Sequence, residues 1–147
     1  MQLSASTVLM LVAGVLIAVQ GPLNSVLGRA AGSPVNAALI SFSIGTLALS
    51  IVAFSLRALP DLTAARALPW WAWLGGLCGA GFVTAAAYAA PRIGVATMLT
   101  IALASQLVTA VALDHVGAFG ITRHPVSWGR AIGMLLVMAG VVVVRRM

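Results

Sequence analysis

The chain has 147 residues, 62% of them hydrophobic and only 7% charged, with eight basic side chains against two acidic ones. A soluble domain carries about 25% charged residues, so composition argues against a soluble enzyme or binding module. The formal charge of +6 comes entirely from arginines scattered at the ends of apolar segments, which reads as anchoring at a membrane interface and not as a nucleic-acid footprint.

A bilayer core about 30 Å thick needs roughly 20 apolar residues per helix, and the chain offers five such stretches. The first runs from about Ser4 to Leu27. It lacks the basic n-region of a secretory signal, so it reads as a retained helix. A turn at Arg29–Gly32 follows. Ser33-Pro34 then reads as an N-cap with proline at the first helical position. The second helix covers about 34–56, and the stretch from Arg57 to Leu68, with Pro60 and Asp61, reads as a polar loop. Trp70, Trp71 and Trp73 mark a headgroup level where the third helix, about 70–90, begins. The lone Cys78 on it allows no internal disulfide and no cysteine metal cluster. Pro91-Arg92 reads as a tight connection into the fourth helix, about 93–113. A loop from Asp114 to Ser127 precedes the fifth, about 128–144, closed by Arg145-Arg146. The expected fold is all-α: one transmembrane domain over residues 1–147, with no soluble part.

Arginine placement sets orientation. Helix parity puts Arg57, Arg66, Arg123 and Arg130 on one side and Arg29, Arg92, Arg145 and Arg146 on the other. Four against four gives no bias, so dual topology and an antiparallel homodimer of ten helices are expected. That assembly reproduces the inverted repeat common in secondary transporters. The alternative is a single orientation fixed by something other than the count.

Small residues let helices approach in lipid. Gly14, Ala18, Gly21, Ser25 and Gly28 fall on one stripe of the first helix, and Ala38, Ser41, Gly45 and Ala48 on one stripe of the second. Both read as packing faces.

Polar groups at membrane depth are the candidate site. Gln20 and Asn24 lie one turn apart with Pro22 between them, so their amides share a face beside a weakened backbone. They either line a site, off-centre towards the helix end, or bond neighbouring helices. Gln106 in the fourth helix is the third amide. Its neighbours Thr97, Thr100, Ser105 and Thr109 can bond back to their own helix. Ser43, in a polar line with Asn36 and Ser50, and Thr84 and Tyr88 complete the substrate-binding candidates. Tyr88 also suits an interface anchor. No carboxylate lies in mid-helix. Asp114, followed by His115, is the candidate proton-coupling pair, the alternative being a solvated loop start. Asp61 reads as structural or solvated, and Arg92 as a contact for an anion or a lipid headgroup, the lipid favoured. No metal-ligand cluster, nucleophile–base pair or phosphate loop is present, so neither an enzyme nor a cofactor is expected; the partners are lipids and a small-molecule substrate.

In order, the chain carries Gln20-x-x-x-Asn24-x-x-Leu27-Gly28, Gly32-Ser33-Pro34 with Ala37 to Phe42 and Gly45, Pro69-Trp70-Trp71 with Gly75-Gly76, Pro91-Arg92-x-Gly94, and Gln106 with Asp114-His115-x-Gly117. Over nearly its whole length it resembles the YdcZ family of small bacterial inner-membrane proteins, within the drug/metabolite transporter superfamily. The resemblance implies five transmembrane helices, a relation to small multidrug-resistance transporters and an exporter role. Two departures count: Ser105 stands where glycine is expected before the glutamine, and no glutamate corresponds to the catalytic one of small multidrug-resistance transporters. The second argues against cation–proton antiport. A secondary transporter moving a small polar or amphipathic molecule by alternating access is thus the leading expectation, with a small ion channel or a non-transporting partner subunit as alternatives.

Overall fold

The computed structural model describes residues 4–146, and among these it is all-helical, with no strand. In chain order come α1 (Ala5–Ala30), α2 (Pro34–Ser55), the short α3 (Leu62–Arg66), a 3-10 turn at Trp70–Leu74 that runs into α4 (Gly75–Ile93), α5 (Val95–Val116), a second 3-10 turn at Ala118–Gly120, and α6 (Trp128–Arg146). Five spans are long and apolar enough to cross a bilayer: Ala5–Ala30, Pro34–Ser55, Trp70–Ile93, Val95–Val116 and Trp128–Arg146. The shortest has 19 residues and is about 28 Å long, close to the hydrocarbon thickness. The helices form two compact units, one ending at Arg92 and the other beginning at Ile93.

In the first unit, α1 and α2 form a hairpin whose turn is closed by side chains. The Ser33 hydroxyl accepts from the Asn36 backbone N–H at 3.0 Å, and Pro34 occupies the first turn, where its missing N–H costs nothing. The Asn36 amide donates to the Ala31 carbonyl at 2.7 Å, satisfying an acceptor that the end of α1 would leave open. Next to this turn the helices nearly touch. A Cβ built at Gly28 would lie 3.3 Å from the Ser33 carbonyl oxygen and 3.5 Å from the Ala37 Cβ. The contact loosens away from the turn. Gly21, Ser25 and Gly28 are buried, whereas Gly14 is exposed and a Cβ there would meet nothing within 4 Å. On α2, Ala38 is buried, Ser41 and Gly45 half-buried and Ala48 exposed. The two small-residue stripes therefore pack over their turn-proximal halves only.

α4 packs on this hairpin, and two of its contacts bear on the site. The Phe42 ring lies over Gly79, 3.2 Å from where a Cβ would stand. The second contact corrects the reading of Pro91-Arg92 as the connection. Both residues lie inside the last turn of α4, and the chain breaks instead at Gly94, whose φ of +81° only glycine adopts without strain. Pro91 has no N–H to offer the Ala87 carbonyl one turn earlier. The buried Ser25 hydroxyl on α1 takes over, lying 3.0 Å from that oxygen and 2.9 Å from its own Gly21 carbonyl. A side chain on α1 thus replaces a hydrogen bond missing from α4, and the helix survives its proline.

Asp61 is the N-cap of α3, its Oδ1 accepting from the Thr63 and Ala64 N–H groups, which is the structural role its loop position suggested.

In the second unit, α5 and α6 form an antiparallel hairpin. α5 continues through Asp114 and His115, so these residues sit in its last turn and not at the start of a loop. Gly117, at φ +68°, ends the helix in the left-handed region, where glycine is unhindered, and its N–H closes on the Leu113 carbonyl. The following loop folds back and satisfies two more carbonyls at the end of α5. The His124 N–H donates to the Asp114 carbonyl at 2.8 Å, and Arg123 Nε to that of His115 at 2.7 Å.

Candidate functional site

Where the α1–α2 contact loosens, a cleft of about 210 Å³ opens between the helices, lined by Gln20, Ser41, Phe42, Gly45, Thr46 and Leu49. The Gln20, Ser41 and Thr46 side chains make no hydrogen bond among the described residues. Asn24, one turn along α1 from Gln20, is only 4% exposed, and its amide is likewise unpartnered. No fully enclosed side-chain nitrogen or oxygen lacks a partner among the described residues, so the Asn24 amide must remain reachable through its small opening. Unpaired polar groups in a hydrocarbon setting are costly. Four of them lie along one hairpin.

Gln20 lies nearer the helix centre than expected, whereas Asn24 keeps the off-centre position. α1 extends to Ala30, so its midpoint falls between Ile17 and Ala18. Gln20 then lies about 4 Å from the middle of the helix, and Gly45 stands at the middle of α2. The backbone is also weakened here, since Pro22 cannot donate to the Ala18 carbonyl.

The other candidates are differently placed. Ser43 is exposed, its hydroxyl bonded to the Leu39 carbonyl at 2.9 Å, and Ser50 and Asn36 of the same polar line are similarly committed. Thr100, Ser105 and Thr109 bond back to carbonyls of α5. Thr84 is half-buried on α4. Tyr88 is exposed, with the Arg92 guanidinium 3.6 Å above its ring centroid and Arg92 Nη1 donating to the Tyr88 carbonyl. That geometry combines a cation–π contact with a bond to a carbonyl near the end of α4.

Gln106 lies at the middle of α5, in the second unit, exposed and without a hydrogen bond among the described residues. Asp114 accepts from Arg130 on α6, Nη1 to Oδ2 at 3.1 Å. His115 Nδ1 accepts the Val126 N–H at 3.3 Å, which pins the loop to the helix end. Among the described residues no group of three or more histidines, cysteines or acids comes together.

The profile of a family described as "Putative inner membrane exporter, YdcZ" matches residues 5–143. The chain belongs to the YdcZ family. Comparisons with curated proteins and with solved structures gave no match. As a YdcZ-family member, the chain is a multi-pass inner-membrane protein of a family of exporters. For this YdcZ-family chain, sequence reasoning missed Ser41 and Thr46 as cleft residues. Ser41 was absorbed into the packing stripe, and Thr46 drew no notice. Counting outward from the turn finds both: Gly28 meets Ala37 across the hairpin, and the same register puts Gln20 opposite Gly45 and Thr46, and Asn24 opposite Ser41.

Proposed function

We propose that this protein exports a small polar or amphipathic, uncharged molecule by alternating access as an antiparallel homodimer, with the α1–α2 cleft as its binding site. The observation that carries this reading is the set of unpartnered groups along the α1–α2 hairpin: the Gln20 amide and the Ser41 and Thr46 hydroxyls in the cleft, with the Asn24 amide one turn closer to the loop. Amides and hydroxyls supply donors and acceptors without charge, so they suit a hydrogen-bonding solute better than an ion. The open backbone at Pro22 gives α1 a point at which to bend as the cleft changes sides.

Purified protein in proteoliposomes, screened against small amides and polyols, should show saturable flux. For a solute so found, Gln20→Ala should raise KM about tenfold, the value of one or two ligand hydrogen bonds left unmade. Size-exclusion behaviour should not change. Unaltered KM in both Gln20→Ala and Asn24→Ala would remove the site, and flux that does not saturate would indicate a pore.

The four-to-four arginine balance supports the antiparallel pairing, and so does Gln106. A bare amide at mid-membrane needs a polar neighbour, and a second copy would bring its own Gln106 to the same depth. In a Cys78→Ala background, Gln106→Cys should form a disulfide-linked dimer. Trp128→Cys should not, because inversion puts the two copies of a span end about 30 Å apart, far beyond disulfide reach. A linked Trp128→Cys dimer would mean a parallel assembly.

A further inference from the structure

A cavity of about 420 Å³ lies between α5 and α6, with walls that are apolar except at one end. Asp114 and Arg130 stand at that end. Leu107 and Val137, each seven residues deeper on its helix, line the other, with Val111 and Gly133 between. Seven helical residues make the trough about 10 Å deep. Its mouth falls at the last turn of α5 and the first of α6, beside Trp128, which is the headgroup level of a bilayer. The trough runs from there towards the membrane interior.

The ion pair at the mouth is incompletely used. Arg130 engages Asp114 Oδ2 and the His124 carbonyl through Nη1 alone. That leaves Nε and Nη2 of the guanidinium, and Oδ1 of the carboxylate, without partners among the described residues. The two side chains are 39% and 34% exposed, so both can be reached. One free anionic oxygen and one free cationic fork a few ångströms apart match a molecule bearing both an ammonium and a phosphodiester. Arg123 is held at the same end of α5 by its bond to the His115 carbonyl and adds positive charge there.

We propose that this trough is a binding site for a zwitterionic phospholipid of the surrounding bilayer. The ammonium meets Asp114 Oδ1, the phosphodiester meets Arg130, and one acyl chain fills the space down to Leu107 and Val137. The site is separate from the α1–α2 cleft and does not depend on the transport reading.

The test is native mass spectrometry of the purified full-length chain, offered phosphatidylethanolamine and phosphatidylglycerol with identical acyl chains. The expected result is a preference for phosphatidylethanolamine of about fivefold, the upper range for a half-exposed charge pair. Asp114→Asn should bring the two lipids to parity. Gly133→Leu fills the trough from a position where a Cβ meets nothing within 4 Å, so the hairpin stays intact. It should weaken both lipids more than tenfold by excluding the acyl chain. Glycerophosphoethanolamine, which has the headgroup without tails, should not displace the lipid. Equal binding of the two lipids by the native chain, unchanged binding by Gly133→Leu, or displacement by the tail-less headgroup would each overturn the assignment.

Discussion

Gly28→Leu will disrupt the α1–α2 hairpin, at a cost of about 3 kcal/mol, the upper end for overpacking a filled site. The reason is the turn backbone. The first carbon of the new side chain would already stand 3.3 Å from the Ser33 carbonyl oxygen and 3.5 Å from the Pro34 Cα. Those atoms are held by the Ser33–Asn36 cap and the Asn36–Ala31 bond, so they cannot retreat without losing both. Gly28→Ala places only the Cβ, and neighbours yielding by a few tenths of an ångström would accommodate it. Gly14→Leu on the same stripe meets empty space and should leave the stability of a single chain unchanged. A denaturant titration followed by helical circular dichroism would rank the three. Equal midpoints for Gly28→Leu and Gly14→Leu would mean that the stripe does not pack as described.

The second large effect is a coupling. Ser25→Ala removes the hydroxyl that satisfies the Ala87 carbonyl, leaving a buried acceptor bare at a cost of about 1–2 kcal/mol. Pro91→Ala restores an N–H one turn beyond that carbonyl, which can then close an ordinary helical bond. In the Pro91→Ala background, Ser25→Ala should therefore cost about 0.5 kcal/mol or less. A double-mutant cycle measured by denaturant titration reads the difference. Equal costs in the two backgrounds would show that Ser25 acts by its size alone.

Much of the fold was legible because a membrane restricts the menu. Backbone polar groups have no water to turn to, so apolar stretches of spanning length become helices. Ser33-Pro34 announced the start of α2 by local chemistry alone. The misread boundaries are the ones decided at a distance. Pro91 reads as a stop until Ser25, 66 residues earlier, rescues its helix. Asp114-His115 reads as a loop until Gly117 and the returning Arg123–Val126 segment supply partners that carry α5 one turn further. The candidate site was legible in its amides, since Gln20 and Asn24 stand out against apolar neighbours. Its hydroxyls were not. In lipid a serine or threonine can bond to its own helix, as Ser43, Ser50 and Thr109 do. Composition does not separate these from Ser41 and Thr46, which do not.

The position of Ser25 also bears on the order in which the chain is made. α1 enters the membrane long before α4 is synthesised, because synthesis and folding proceed from the N-terminus. A side-chain donor waiting for a partner 62 residues away would be exposed to lipid in the interval. Ser25 is spared this, because the Gly21 carbonyl lies within 2.9 Å on its own helix. The hydroxyl proton can rest there in the nascent hairpin and turn to Ala87 when α4 arrives. A residue that joins two helices of the finished protein is therefore already at home in the half-made one.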